Sequence, residues 1–139
     1  MAEERIELLM NNARTKNITI NFTGERCSVN ADRSMIVELF DNLIQNAIRY
    51  NVVNGLVDVS IKQLESGIEI CISDTGIGIP KEDISRVFER FYRVDKSRSR
   101  DTGGTGLGLA IVKHIVEILD GKIEIESEVG KGTCVKVFL

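Results

Sequence analysis

Ile68-Glu69-Ile70-Cys71-Ile72-Ser73-Asp74-Thr75-Gly76-Ile77-Gly78-Ile79-Pro80 changes character half-way along. The first half alternates apolar and polar residues, the period-2 signature of a strand with one face in a core. The second half is an acidic residue followed by two glycines and the only proline in the chain. A strand that delivers a carboxylate to a glycine-rich mouth suits recognition of a flat polar ligand. Glycine lets such a ligand approach the backbone and permits φ > 0. Asp74 can accept a hydrogen bond from an exocyclic amine there. The same residues also fit a plain strand-to-helix turn closed by an Asx motif.

Working outward, Val57-Val59-Ile61 alternates in the same way and is joined to this strand by a turn at Glu65-Ser66-Gly67, an antiparallel hairpin. A second hairpin pairs Ile123-Glu124-Ile125 with Val135-Lys136-Val137 around Gly130-Lys131-Gly132. Ile18, Ile20 and Phe22 predict a strand ending at Gly24, and residues 27–30 a second short extended piece leading to Asp32, an N-cap. Helical spacing recurs at Ile6, Leu9, Met10 and Ala13, then along a long helix through Tyr50 with Ile36, Leu39, Phe40, Leu43 and Ala47 as its stripe. A helix with Pro80 in its first turn carries Ile84, Val87, Phe88 and Phe91. The last helix opens at Gly104-Thr105-Gly106-Leu107-Gly108, carries Leu109, Val112, Ile115, Val116 and Leu119, and closes at Gly121. Between these two helices the chain has no periodicity and is dense in charge (Asp95, Lys96, Arg98, Arg100, Asp101), as expected of a lid or binding segment. The pattern predicts an α+β sandwich around one antiparallel-leaning sheet.

The 139 residues amount to one domain, with 42% hydrophobic and 28% charged residues. Lys+Arg is 18 and Asp+Glu 21, a net charge of -3. Nucleic-acid domains are usually basic, so no nucleic-acid partner is expected. No apolar run reaches the ~18–20 residues of a membrane span, and the first residues lack an apolar signal core. A soluble, cytoplasmic domain without membrane contact is expected. The three cysteines, Cys27, Cys71 and Cys134, form no metal-spaced cluster and read as small buried hydrophobes in a reducing compartment.

Two more groups of residues carry chemistry. At about 100° per residue, Asn42, Asn46, Arg49 and Tyr50 share one stripe of the long helix, between the apolar face and a solvent face of Glu38, Asp41 and Gln45. Amides, a guanidinium and a phenol in line offer metal coordination, phosphate contact and a ring for stacking, or form an ordinary polar boundary. The glycines from 104 to 108 open a helix, where backbone N–H groups and the dipole favour a polyphosphate. They are spaced GxGxG after a charged loop, with no βαβ unit and no following Lys-Ser/Thr, which excludes Rossmann and P-loop readings. Asp-Thr-Gly also marks aspartic proteases, but Gly-Ile-Pro leading into a helix is the wrong context for one.

In order, Asn42-Leu43-Ile44-Gln45-Asn46-Ala47-Ile48-Arg49-Tyr50, Asp74 to Pro80, Phe88 to Arg93 and Gly104 to Ile111 resemble the N box, first glycine box, F box and second glycine box of the catalytic and ATP-binding domain of bacterial sensor histidine kinases. The resemblance covers essentially residues 1–139, and residues 94–103 correspond to the ATP lid. It implies the Bergerat ATP-binding fold, a mixed, mainly antiparallel sheet of about five strands backed by three helices. It implies ATP and Mg²⁺, with Asn46 as the metal ligand, Asn42 as its companion, and Arg49, in place of a more usual lysine, on phosphate. Tyr50 would pack near adenine, and Asp74 would accept from its amino group in a pocket shaped by Gly76, Gly78 and Ile79. Gly104, Thr105, Gly106, Leu107 and Gly108 would lie along the phosphates. Arg93 would stabilise the transferring γ-phosphoryl group, so Asn42, Asn46 and Arg93 form the expected catalytic set. Phe88 and Phe91 are expected in the core first, and the lid charges Lys96, Arg98 and Arg100 as solvated.

The family phosphorylates a histidine on a dimerisation helix, and no such acceptor motif is present. His114, the one histidine, falls about 180° from its helix's apolar stripe and is expected in solvent. The resemblance thus implies one domain, monomeric alone, of a longer kinase of a kind that can be membrane-anchored. Its partners would be a helical dimerisation and phosphoacceptor domain and, indirectly, a response regulator. Three alternatives stay open. A hydrolysing relative such as gyrase uses a glutamate base one turn before the metal-binding asparagine, where this chain has Asn42. An anti-sigma-factor serine kinase shares the pocket, and a silent nucleotide-binding module needs no chemistry at all.

Overall fold

A computed structural model describes residues 1–94 and 106–139. The elements are α1 (Ala2–Ala13), a 3₁₀ turn (Arg14–Lys16), β1 (Thr19–Gly24), α2 (Arg33–Arg49), β2 (Leu56–Leu64), β3 (Gly67–Asp74), α3 (Lys81–Ile84), α4 (Gly108–Ile118), β4 (Lys122–Glu128) and β5 (Gly132–Phe138). The five strands form one sheet in the order β1-β2-β3-β5-β4. β1 runs parallel to β2, and the remaining neighbours are antiparallel. The expected α+β sandwich is therefore present, with α1, α2 and α4 backing a mixed sheet. No helix among the described residues is long and apolar enough to cross a membrane.

Alternation explains why the helices cover one face of the sheet. Ile68, Ile70 and Ile72 of β3 are buried while Glu69, Cys71 and Ser73 are half-exposed. Val57 and Val59 of β2 and Val135 and Val137 of β5 extend the buried face. Leu39, Phe40 and Ile44 of α2 and Val112 and Val116 of α4 pack onto it. Asp32 caps α2 as expected, its carboxylate accepting from Ser34 N at 2.8 Å.

Several local expectations give way to tertiary contacts. Residues 27–30 form no strand, although Cys27 and Val29 pack against the core. Met10 is exposed, and Ala2 joins Ile6, Leu9 and Ala13 on the buried side of α1. Asp41 does not face solvent freely: its carboxylate takes Arg5 in a two-pronged ion pair, at 2.7 and 2.5 Å, that ties α2 to α1. Pro80 precedes α3 as its N-cap, and α3 is a single turn. Beyond it the backbone advances by i→i+3 bonds, Arg86 N to Asp83 O, Glu89 N to Arg86 O and Tyr92 N to Glu89 O. Three residues per turn undoes the 3.6-residue spacing, so Val87 is buried, Phe88 is half-buried and Phe91 is exposed with φ 63°.

α4 ends in a Schellman motif: Asp120 N donates to Glu117 O and Gly121 N to Val116 O. The left-handed residue is Asp120, φ 53°, rather than a glycine. Gly121 is needed for proximity, since a Cβ there would lie 2.5 Å from Phe138 O. Because Leu39 is 0% exposed, Leu39→Ala should lower the unfolding free energy in urea by about 2–5 kcal/mol. Leu8→Ala on the open face of α1 should change it by less than about 0.5 kcal/mol.

Candidate functional site

A cavity of about 460 Å³ opens between α2, the mouth of β3, the start of α4 and the chain around residues 92–94. This is the size range of small-molecule sites. Of the helix stripe singled out above, Asn46, Arg49 and Tyr50 line it. Asn42 does not line it, and its Nδ2 donates to Glu38 O of its own helix at 2.8 Å. A Cβ on Gly108 would sit 3.2 Å from Asn42 Oδ1 and 3.4 Å from the Asn46 amide, so the N-terminus of α4 abuts this stripe.

Asp74 lines the cavity. Its Oδ1 accepts from Gly76 N at 2.8 Å and from Thr133 N at 3.3 Å. Both bonds fall on one oxygen, which leaves Oδ2 to accept from a ligand. Burial pushes its carboxyl above the usual carboxylate range, against the two backbone hydrogen bonds that pull it down. The Asx turn of Asp74 is thus itself part of the cavity wall. Gly78 and Ile79 line the cavity, while Gly76 serves through its N–H to Asp74. Gly78 has φ 75°, and a Cβ there would meet Glu128 O at 2.1 Å, so the loop can close over the β4–β5 turn only with glycine.

Cations share the wall: Arg49 and Arg93 line the cavity together with Gly106 and Gly108, where α4 begins. Leu107 is the N-cap residue of α4. Gly104, Thr105 and all of the charged lid except Val94 lie outside the described residues. Gly106 O accepts from Phe91 N at 2.9 Å, joining the chain on either side of that segment. His114 is exposed on α4 and does not line the cavity.

Sequence spacing did not find Lys16, Asn51, Tyr92 or Thr133, all of which line the cavity. Lys16 Nζ donates to Arg49 O at 2.5 Å and Asn51 O at 3.2 Å. Burial first, then the charge of Arg49, holds its ammonium below the ordinary lysine value. Asn51 is a buried polar side chain that donates to Leu56 O and accepts from Val52 N and Thr75 Oγ1. Tyr92 donates its hydroxyl to Asp83 and lies under the Arg86 guanidinium. Thr133 stands opposite Asp74 in the β3–β5 register. The threonine of Gly130-Lys131-Gly132-Thr133 could have been noticed, but only β3–β5 adjacency brings it to Asp74.

Comparison with known proteins gives this geometry a family. Residues 31–139 match the model for histidine kinase-, DNA gyrase B- and HSP90-like ATPases. The chain is 48% identical over 134 residues to the sensor-like histidine kinase SenX3 of Mycolicibacterium smegmatis, covering 95% of this chain and 34% of the relative. It therefore spans about a third of that relative's length. Among solved structures, the mycobacterial sensor histidine kinase MprB superposes with a TM-score of 0.84 at 29% identity, over 99% of this chain and 90% of that one. Full-length ShkA, solved in complex with AMPPNP, gives 0.82 at 26% identity over 98% of this chain and 28% of that one. With the family model matched across α2, the glycine loop and α4, and with SenX3 and MprB, both sensor histidine kinases, similar to it, this chain belongs to the histidine kinase-, DNA gyrase B- and HSP90-like ATPase family.

Proposed function

We propose that this domain binds Mg-ATP and presents its γ-phosphoryl group to a histidine on a separate helical dimerisation domain, as the catalytic part of a sensor histidine kinase. The observation that carries the reading is Asp74: a half-buried carboxylate on the wall of a nucleotide-sized cavity that guanidinium groups and a helix N-terminus also line. An adenine needs an acceptor for its exocyclic amine inside an apolar wall, which Ile72, Ile77 and Ile79 supply. A triphosphate needs cations and N–H donors, which Arg49, Arg93 and the start of α4 supply. Tyr50 gives the base a ring edge, and Gly106, Leu107 and Gly108 follow the phosphates.

Mg²⁺ fits the residues present. It favours oxygen ligands and is commonly held by one or two protein oxygens plus substrate phosphates. Among the described residues there is no group of three His, Cys, Asp or Glu side chains to cage a metal by themselves. Asn46 offers an amide oxygen on the cavity wall, and Asn42 a second, its Nδ2 being the group that bonds Glu38 O. Bound there, the ion would neutralise phosphate charge. Arg93 stabilises charge on the group in flight, and Arg49 orients the chain of phosphates. No side chain at Asn42 can take a proton from water, which favours transfer to an external nucleophile over hydrolysis. The exposed His114 is not that nucleophile, so the acceptor comes from a partner domain, with a response regulator receiving the phosphoryl group afterwards.

Titration calorimetry should show micromolar-to-millimolar Mg-ATP affinity. Asp74→Asn should weaken it by about 100-fold or more, because the amine then faces an amide. Asn46→Asp should weaken it strongly by adding a negative charge beside the phosphates. Unchanged affinity in both variants would overturn the site assignment. Asp74→Asn should also leave the ligand-free melting temperature equal or higher. The raised carboxyl means that the folded state favours the protonated form, so stability is fullest at low pH and falls as pH rises through that group. Asn keeps the Oδ1 bonds and removes the buried charge, so a clear loss of ligand-free stability would contradict this account. Mixed with a dimerisation fragment and labelled ATP, the domain should place label on that fragment's histidine, and His114→Ala should do so equally well. Label on serine, or phosphate released to water at the same rate without the fragment, would refute the kinase reading.

A further inference from the structure

Two thiols separated by 63 positions meet on the sheet face turned away from the helices: Cys71 Sγ lies 3.3 Å from Cys134 Sγ. Both are free and half-exposed. This corrects the expectation that each cysteine is simply a small buried hydrophobe without a partner. The register shows how they meet. Cys71 stands opposite Lys136 and Cys134 opposite Ser73, so the two sulfurs approach along a diagonal between adjacent antiparallel strands. Alternation keeps both on the open face, beside Glu69 and Ser73. Cys27 packs against the core and is not part of the pair.

We propose that Cys71 and Cys134 form a thiol–disulfide modification site whose oxidant is a peroxide. The approach is already close: a disulfide needs its sulfurs at about 2.05 Å, so the gap to close from 3.3 Å is a little over 1 Å. Side-chain rotation with a slight strand shift covers that distance. The two sulfurs have different parts. Burial first, then the contact with Cys71, pushes the Cys134 thiol up to about 12, which opposes its ionisation. Cys71 is the sulfur that attacks, as a thiolate, with the Lys136 ammonium opposite it in register. Attack on a peroxide oxygen breaks the O–O bond, forms the Cys71 sulfenic acid and, for hydrogen peroxide, releases hydroxide. The Cys134 sulfur then attacks Cys71 Sγ, the S–O bond breaks, and the departing hydroxide takes the Cys134 proton as water. Two thiols lose two electrons in total and the peroxide is reduced.

The diagonal placement also makes the bridge reversible. Diagonal neighbours have Cα atoms about 7–8 Å apart, at or past the usual disulfide span, so the closed form is strained. Strained, exposed disulfides have the more oxidising potentials and reopen readily with thiols. On the opposite face of the same two strands lie Asp74 and Thr133.

The test is peroxide titration of the whole chain followed by alkylation and peptide mass mapping without reductant. The expected result is one internal link between the Cys71 and Cys134 peptides, short of two hydrogens, with Cys27 alkylated throughout. Dithiothreitol should restore all three thiols. In Cys134→Ser the link should vanish and Cys71 should be trapped by dimedone as a sulfenic acid, while Cys27→Ser should keep the link. Separate oxidation of Cys71 and Cys134 with no link, a link involving Cys27, or links only between chains would each overturn the proposal.

Discussion

Where α2 ends, the carbonyls of Arg49, Tyr50 and Asn51 and the Asn51 side chain find partners that join three distant parts of the chain. Lys16 Nζ takes Arg49 O and Asn51 O, bringing in the segment ahead of β1. Ile77 N takes Tyr50 O, bringing in the glycine loop. The buried Asn51 side chain then bonds Leu56 O and Thr75 Oγ1, and Thr75 N bonds Leu56 O, fastening the start of β2 to the same point. A helix end buried without such donors would cost several unmade hydrogen bonds. The polar stripe of α2 and Asp74 therefore hold a fixed relation because one capping problem has been solved with residues from both.

That arrangement also puts both signs of charge on one cavity wall. Asp74, among aliphatic lining residues, carries a carboxylate whose ionisation burial opposes. Lys16, Arg49 and Arg93 line the same cavity. The whole chain has a net charge of -3, so this cationic lining is a local construction, drawn from three segments. A net charge describes solubility and long-range steering, whereas a phosphate group responds to donors within hydrogen-bond reach. An acidic domain and a polyphosphate site are for that reason compatible.

What could be read in advance were the features whose physics is local. The Asp32 cap, the two hairpins and the Ile68-Ile70-Ile72 face depend on neighbours a few residues away, and all appear as expected. The stripe Asn46-Arg49-Tyr50 and the Asp74 mouth were legible because helix and strand periods place them. The pairing of β3 with β5 was not, since it inserts the last strand between elements that sequence order keeps apart. Thr133 beside Asp74, Lys16 beneath Arg49 and the Cys71–Cys134 contact all depend on such long-range closures. Phe91 misled for a different reason. Its spacing from Ile84, Val87 and Phe88 is helical, but the chain there turns by three residues at a time, and Phe91 N is spent on Gly106 O.

The Phe91–Gly106 bond shows why that helix could not continue. A helical Phe91 would have φ near −63° and would donate to the carbonyl four residues earlier. With φ 63°, it aims its N–H across at the far side of the segment that spans residues 95–105. Gly106, at φ 76°, comes so near that a Cβ on it would lie 2.9 Å from Phe91 Cα. A left-handed phenylalanine is costly, and it is tolerated where the surrounding structure over-determines it. Tyr92 donating to Asp83 and stacking with Arg86 holds the next residue in place. The same turn brings Arg93 to the cavity wall, and a regular helix through Phe91 would carry that guanidinium past it in a different direction. The broken helix is thus the means by which the cavity wall acquires one of its cations.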